Sequence, residues 1–96
     1  MFVRIAQFEG GDLAEADQAV ARVREQMQGE RPPGLQAAKR LLMLIDREKG
    51  RGLGLTFFET EEDMRRGDEA LNAMSPGGSA QRTSVDMYEV AIDQQF

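Results

Sequence analysis

The sequence predicts an α+β fold in which two helices cover one face of a four-stranded antiparallel sheet. Strand-like and helix-like segments follow one another in the order βαββαβ along the 96 residues. Both helical segments carry one apolar stripe, which is typical of helices that lie on a sheet. The second strand is apolar at consecutive positions, which indicates burial on both faces.

The first strand and the first helix are marked by clear boundaries. Residues 2–8 are rich in β-forming side chains and end at Gly10-Gly11, so they predict a strand followed by a turn. Asp12 and Glu15 fit a capping pattern at a helix start. Apolar residues then recur at helical spacing through residues 13–27, which predicts the first helix.

A β-hairpin is predicted after this helix. Pro32-Pro33-Gly34 ends the helix, and a long second strand is expected over residues 35–46. Lys49-Gly50 turns the chain. Leucine and phenylalanine at alternating positions then predict a third strand over residues 53–58, paired with the second.

The last third of the chain predicts a second helix and a fourth strand. Residues 60–63 repeat the capping pattern, and the stripe that follows ends near residue 74. Gly67 lies on that stripe and permits close packing. A glycine-rich loop at residues 75–79 precedes the fourth strand, which is expected over residues 85–92.

These elements together predict a ferredoxin-like sandwich whose second sheet face needs a cover. Leu41 to Ile45 is apolar at every position, and Phe57-Phe58 is apolar on the neighbouring strand. Two helices can cover only one face of the sheet, so the other face must be covered by a second subunit. We therefore expect a homodimer closed sheet against sheet, a dimeric α+β barrel made from a single domain that spans residues 1–96.

Composition excludes several functions. The chain has 12 basic and 17 acidic residues, a net charge of −5 and a pI near 4.7, which disfavours binding to nucleic acid or to an anionic membrane. It contains no Cys and no His, so no metal site and no cofactor are expected. There is no apolar run long enough to span a bilayer and no signal-peptide pattern, so a cytoplasmic location is expected.

Four segments of the sequence resemble a known family. They are residues 3–10 (VRIAQFEG), 44–54 (LIDREKGRGLG), 58–62 (FETEE) and 88–91 (YEVA). Together they resemble the small bacterial members of the antibiotic-biosynthesis-monooxygenase-like superfamily. The resemblance covers nearly the whole chain and implies a dimeric α+β barrel with a pocket. Activities in that family range from cofactor-free oxygenation of polyketide-like aromatics to haem degradation.

Differences from the family narrow the function that the resemblance implies. Haem-degrading relatives use an Asn, a Trp and a His, whereas this chain has no His, no Trp and a single asparagine, Asn72. Phe58 stands where relatives often carry Trp, so an apolar wall replaces an indole donor. The resemblance therefore favours a protein that binds a small hydrophobic or aromatic molecule, with cofactor-independent monooxygenation as its chemistry. The alternative is a non-enzymatic dimeric ligand-sensing or structural module.

Arg4, Phe58 and Tyr88 are the candidate pocket residues. Arg4 is a lone charge on an apolar strand, where its guanidinium could clamp a carboxylate or phenolate. An ion pair across the subunit interface, with Asp86 or Glu89, is favoured over that role. Tyr88 is a candidate hydrogen-bond donor near a ligand, although half-buried strand tyrosines more often only pack.

Two other motifs favour structural roles. Residues 51–58 match the outline of the RNA-recognition motif, but Leu53 and Leu55 replace the aromatic side chains that stack on bases, so RNA binding is the less favoured reading. The acidic residues at positions 59 and 61–63 suit the start of a helix better than a hard cation.

Overall fold

The chain folds as a four-stranded antiparallel sheet with two helices. The computed structural model describes residues 1–11, 13–29, 33–73 and 81–96. The elements are β1 (Phe2–Glu9), α1 (Leu13–Gln28), β2 (Arg40–Asp46), β3 (Arg51–Phe58), α2 (Glu61–Asn72) and β4 (Gln81–Glu89). The strands lie in the order β2-β3-β1-β4. This confirms the predicted ferredoxin-like α+β class.

The strand register shows which residues lie on each face of the sheet. Phe2 lies opposite Phe58, and Arg4 lies opposite Thr56 and Met87. Because Arg4 bonds to α2, these positions share the face that carries the helices, which we call the helix face. Val3 and its neighbours along each strand alternate onto the opposite side, which we call the open face.

The core lies between the sheet and α2. Phe58 is fully buried and packs with Leu35 and Met64, while Met27 of α1 and Leu71 of α2 close around them. Full burial of a phenylalanine side chain contributes about 1.5–3 kcal/mol relative to its exposure. This cluster fixes α2 over the centre of the sheet.

Gly67 allows α2 to approach β3 closely. A Cβ atom placed on Gly67 would lie 2.3 Å from Cζ of the Phe58 ring, closer than any real Cβ contact. The glycine therefore makes room for the ring directly under the helix. The predicted role of Gly67 in close packing is confirmed.

Two predicted strand boundaries were wrong. Residues 35–39 precede β2, because Leu35 turns into the core instead of extending the hairpin. The fourth strand starts at Gln81 and ends at Glu89, four residues earlier than the start expected from its apolar residues. Its extent follows its partner, since β1 pairs with it from Phe2 to Glu9 and one further hydrogen bond joins the Val90 amide to the Met1 carbonyl at 2.9 Å.

The predicted caps and turns are present where they can be assessed. The Thr60 hydroxyl accepts a hydrogen bond from the Asp63 amide at 3.1 Å at the start of α2. Gly50 has a φ of 66° in the hairpin turn, and its amide donates to the Asp46 carbonyl at 2.9 Å. The proposed cap at Asp12, the breaker at Pro32 and the loop at residues 75–79 lie outside the described residues.

Candidate ligand site

Arg4 is held by α2 of its own chain. Its side chain rises from the centre of β1, and the residue is only 3% exposed. Nε donates to Oδ1 of Asp68 at 2.7 Å, and Nη2 donates to Oδ1 of Asn72 at 3.2 Å. The predicted partners, Asp86 and Glu89, are wrong, because the helix offers a carboxylate directly above the guanidinium.

The contacts of Arg4 extend into a network across three elements. Arg82 of β4 donates from Nη1 to Oδ1 of Asn72 at 2.8 Å, and Nδ2 of Asn72 donates to Oδ2 of Asp68 at 3.3 Å. We call Arg4, Asp68, Asn72 and Arg82 the Arg4 network. It ties β1 and β4 to α2 through one amide and one carboxylate.

The Arg4 network satisfies a costly buried charge. A guanidinium removed from water is tolerated only when it is paired and hydrogen-bonded. Among the described residues, no buried side-chain nitrogen or oxygen lacks a hydrogen-bond partner. Nε and Nη2 of Arg4 are therefore committed to α2. Asn72 and Arg82 are the exposed members of the network, and the Asp68 side chain is 19% exposed.

A cleft of about 550 Å³ opens beside Asp68, between α2 and the edge strand β4. Four of its lining residues are apolar or aromatic: Phe2, Met64, Met87 and Tyr88. Five others are charged: Glu61, Arg65, Asp68, Glu69 and Glu89. We call this site the α2–β4 cleft. It is an open groove and not an enclosed cavity.

The sequence of α2 produces one wall of the cleft. Met64 and Asp68 are four residues apart, so they share one helix face. Phe2 and Met87 form the floor at the sheet edge, because Phe2 starts β1 and Met87 lies opposite Arg4 on β4. The cleft is thus an extension of the helix face beyond the central core.

The structure separates the three predicted pocket residues. Arg4 and Phe58 share the helix face, where Arg4 anchors Asp68 and Phe58 lies in the core. Neither is among the residues that line the α2–β4 cleft. Tyr88 does line the cleft, but its strand position alternates onto the open face, and it is 55% exposed.

Sequence reasoning missed Asp68 and Met87. A polar pair at Asp68 and Asn72, spaced four residues apart on α2, was a visible signal for a helix partner of Arg4. Met87 carried no comparable signal, because its contact with the cleft depends on the register of β4 against β1.

Other features narrow what the site can hold. Within the described ranges, His, Cys, Asp and Glu side chains form no group of three suited to a metal ion. In the same part of the chain, none of the helices has the length and apolar character needed to cross a membrane.

Comparison with known proteins gives structural neighbours only. No family model matches the chain, and no curated protein matches it. A mutant of MhuD, crystallised with two manganese protoporphyrin IX molecules per active site, is 17% identical over 100% of both chains, with a TM-score of 0.71. A protein from Deinococcus radiodurans, provisionally described as an antibiotic biosynthesis monooxygenase, is 12% identical over 100% of this chain and 98% of its own, with a TM-score of 0.62.

These neighbours confirm the predicted resemblance at the level of the fold. The predicted βαββαβ domain matches both neighbours over its full length. At identities of 17% and 12%, the comparison supports a shared fold but does not identify a ligand.

The lining of the α2–β4 cleft is unfavourable for a haem. The chain has no His to serve as an axial ligand. Carboxylates dominate the charged lining of the α2–β4 cleft, and they oppose the propionate groups that a haem carries.

Proposed function

We propose that the protein is a member of the antibiotic-biosynthesis-monooxygenase-like superfamily that binds a small hydrophobic or aromatic molecule in the α2–β4 cleft. The observation that carries this proposal is the apolar patch that Phe2, Met64 and Met87 form on the helix face, beside the carboxylate of Asp68 that Arg4 holds in place. Pockets for small molecules combine apolar walls with polar groups that orient the ligand. At this edge of the sheet, apolar and charged side chains lie side by side.

The three predicted pocket residues take different parts in this proposal. Tyr88 borders the cleft at the edge strand, but its side chain alternates onto the open face, so it takes no part in orienting the ligand. Arg4 is a positioning residue that holds Asp68 at the cleft wall. Phe58 supports Met64 from below, within the same core cluster.

A neutral indole probe tests ligand binding. The chain has no Trp, so the fluorescence anisotropy of tryptophol reports the bound probe alone. Met87→Gln removes apolar and sulfur contacts with the ring, worth about 0.3–1.5 kcal/mol, and should weaken binding by about two- to tenfold. Met43→Gln is the matched control, because Met43 is similarly exposed on the helix face but lies on the other edge strand.

The control decides how the titration is interpreted. Wild-type binding that falls in Met87→Gln and persists in Met43→Gln supports the cleft. Equal binding by all three proteins would place the probe elsewhere, and an absence of saturable binding would refute the proposed function.

Cofactor-independent oxygenation is the reaction that we propose for this site. Dithranol is a suitable probe, because this polyketide-like phenol itself donates electrons to oxygen. The protein should raise the rate of its oxidation in air above the uncatalysed rate, and Met87→Gln should lower that gain. Binding of dithranol without faster oxidation would favour the alternative, a non-enzymatic ligand-sensing module.

We also propose that the open face pairs with the open face of a second copy. Leu42, Leu44, Leu53, Leu55 and Phe57 share this face by strand alternation. Leu44 is 47% exposed, and an apolar sheet surface of this width favours association. The occupant that suits a face of one fold best is the same face related by twofold symmetry.

Sedimentation velocity tests the dimer with two neighbouring residues. Leu44→Lys places a charge in the proposed interface and should convert a dimer into a monomer. Met43→Lys places the same charge one residue away on the helix face and should leave the dimer intact. A monomeric wild-type protein, or equal loss in both variants, would contradict the pairing.

A further inference from the structure

We infer that the α2–β4 cleft selects cationic aromatic ligands over anionic ones. The inference rests on the proposed function, since it assigns a charge class to the ligand of that same site. It depends on which charged groups around the cleft already have partners.

The cleft has an excess of unpaired negative charge. Among the described residues, Arg65 is the one cation that lines the cleft, and it forms an ion pair with Glu61 at 2.6 Å on α2. Asp68 is paired with Arg4. The carboxylates of Glu69 and Glu89 form no ion pair with any other residue that the structure describes.

The two unpaired carboxylates stand on opposite walls. Glu69 belongs to α2, whereas Glu89 ends β4 directly opposite Phe2. A ligand between these walls faces negative charge on both sides. Phe2 adds an aromatic face, which attracts a cation.

The nearby arginines do not reverse this charge. Arg4 uses Nε and Nη2 on α2, and Arg82 donates to Asn72 and does not line the cleft. The anion clamp, the less favoured of the two roles predicted for Arg4, has no support here, because Nε and Nη2 already bond to α2. The carboxylate of Asp68, and not the guanidinium, lines the cleft.

Three probes that share one ring system test the inference. Tryptamine is a cation, tryptophol is neutral and indole-3-propionate is an anion, and the indole fluorescence of each reports binding to a chain without Trp. Tryptamine should bind more tightly than indole-3-propionate by on the order of tenfold at low ionic strength, since each exposed charge contributes a modest attraction. High salt should narrow the difference.

Charge-removing variants identify the groups responsible. The double variant Glu69→Gln and Glu89→Gln should reduce the preference for tryptamine over indole-3-propionate to about twofold by the same estimate. Glu25→Gln on α1 is the control, because Glu25 is exposed and does not line the cleft. It should retain the full preference.

The outcomes separate the inference from the proposed function. If tryptophol binds in the cleft and indole-3-propionate binds as tightly as tryptamine, the charge inference is overturned and the ligand site stands. A preference that survives in the double variant also overturns it. If none of the three probes binds, both fail together.

Discussion

The helix face and the open face of the sheet differ in how completely their side chains are covered. On the helix face, Phe58 is fully buried and Arg4 is 3% exposed, whereas on the open face Leu44 is 47% and Tyr88 is 55% exposed. The helices cover the centre of the helix face. No helix of the described residues covers the open face. The sheet therefore combines a finished core with an apolar surface that still lacks a cover.

The helix face is itself incomplete at its edges. Met87 on β4 is 43% exposed, because α2 covers the central strands and not the full width of the sheet. The uncovered strip beside α2 is the α2–β4 cleft. One face thus supplies the ligand site that we propose, and the other supplies the proposed subunit contact.

Adjacent phenylalanines give the largest expected contrast between the two faces. Phe58→Ala removes the fully buried ring and should lower the free energy of unfolding by about 3–5 kcal/mol in urea denaturation. Phe57→Ala, on the open face, should cost about 1–2 kcal/mol, because its ring is only half-buried. The loss of stability in Phe57→Ala alone should depend on protein concentration, because Phe57 lies in the proposed dimer interface and Phe58 does not. Equal losses would mean that the faces are equally buried.

The Arg4 ion pair should show an asymmetry between its partners. Asp68→Ala leaves the buried Arg4 guanidinium without its carboxylate partner and should lower the free energy of unfolding by about 2–3 kcal/mol. Arg4→Met should cost less, because the Asp68 side chain is 19% exposed and water can reach it. Thermal or urea unfolding of both variants measures the difference. A larger loss in Arg4→Met would contradict the burial of the charge.

Replacing Gly67 by alanine should change the stability in the opposite direction to the same replacement at an ordinary helix glycine. Gly→Ala inside a helix is normally stabilising by about 1 kcal/mol. At Gly67 the new Cβ meets the Phe58 ring, so Gly67→Ala should instead destabilise by about 1–3 kcal/mol. Gly29→Ala is the control, since nothing lies within 4 Å of its added Cβ. A stabilised Gly67→Ala protein would disprove the close packing.

The smallest effect is expected at the surface, away from both faces. Arg47 in the hairpin turn bonds to Asp17 of α1 at 2.8 Å, and this lowers the pKa of Asp17 below its ordinary value of 3.8. A depressed folded-state pKa adds stability above 3.8, and that stability is lost as the pH falls through the folded-state pKa. An NMR titration should show the Asp17 pKa return toward 3.8 in Arg47→Gln. An unchanged pKa would show that the pair is absent in solution.

The contrast between the faces was only partly predictable from sequence. Apolar runs at Leu41 to Ile45 and Phe57-Phe58 place apolar side chains on both faces, because strand alternation is a local property. The capping of α2 and the role of Gly67 were predictable for the same reason. The burial of the open face that the apolar runs predicted stays a prediction, since Leu44 is 47% exposed in the single chain.

The site was less predictable because it depends on long-range register. Arg4 meets Asp68 across 64 residues of sequence, and Met87 reaches the cleft only through the pairing of β4 with β1. The early start of β4 has the same origin, since its partner strand and not its own composition sets its ends. Residue types alone identified Arg4 as unusual and could not supply its partner.

Chemical-shift mapping tests the central claim most directly. A ¹⁵N-labelled sample titrated with tryptophol should show its largest amide shifts around the α2–β4 cleft, at residues such as Phe2, Met64 and Glu89. Leu44 and Leu55, on the open face, should not move. Shifts centred on the open face, or none at saturating probe, would contradict the division of the sheet into a ligand side and a pairing side.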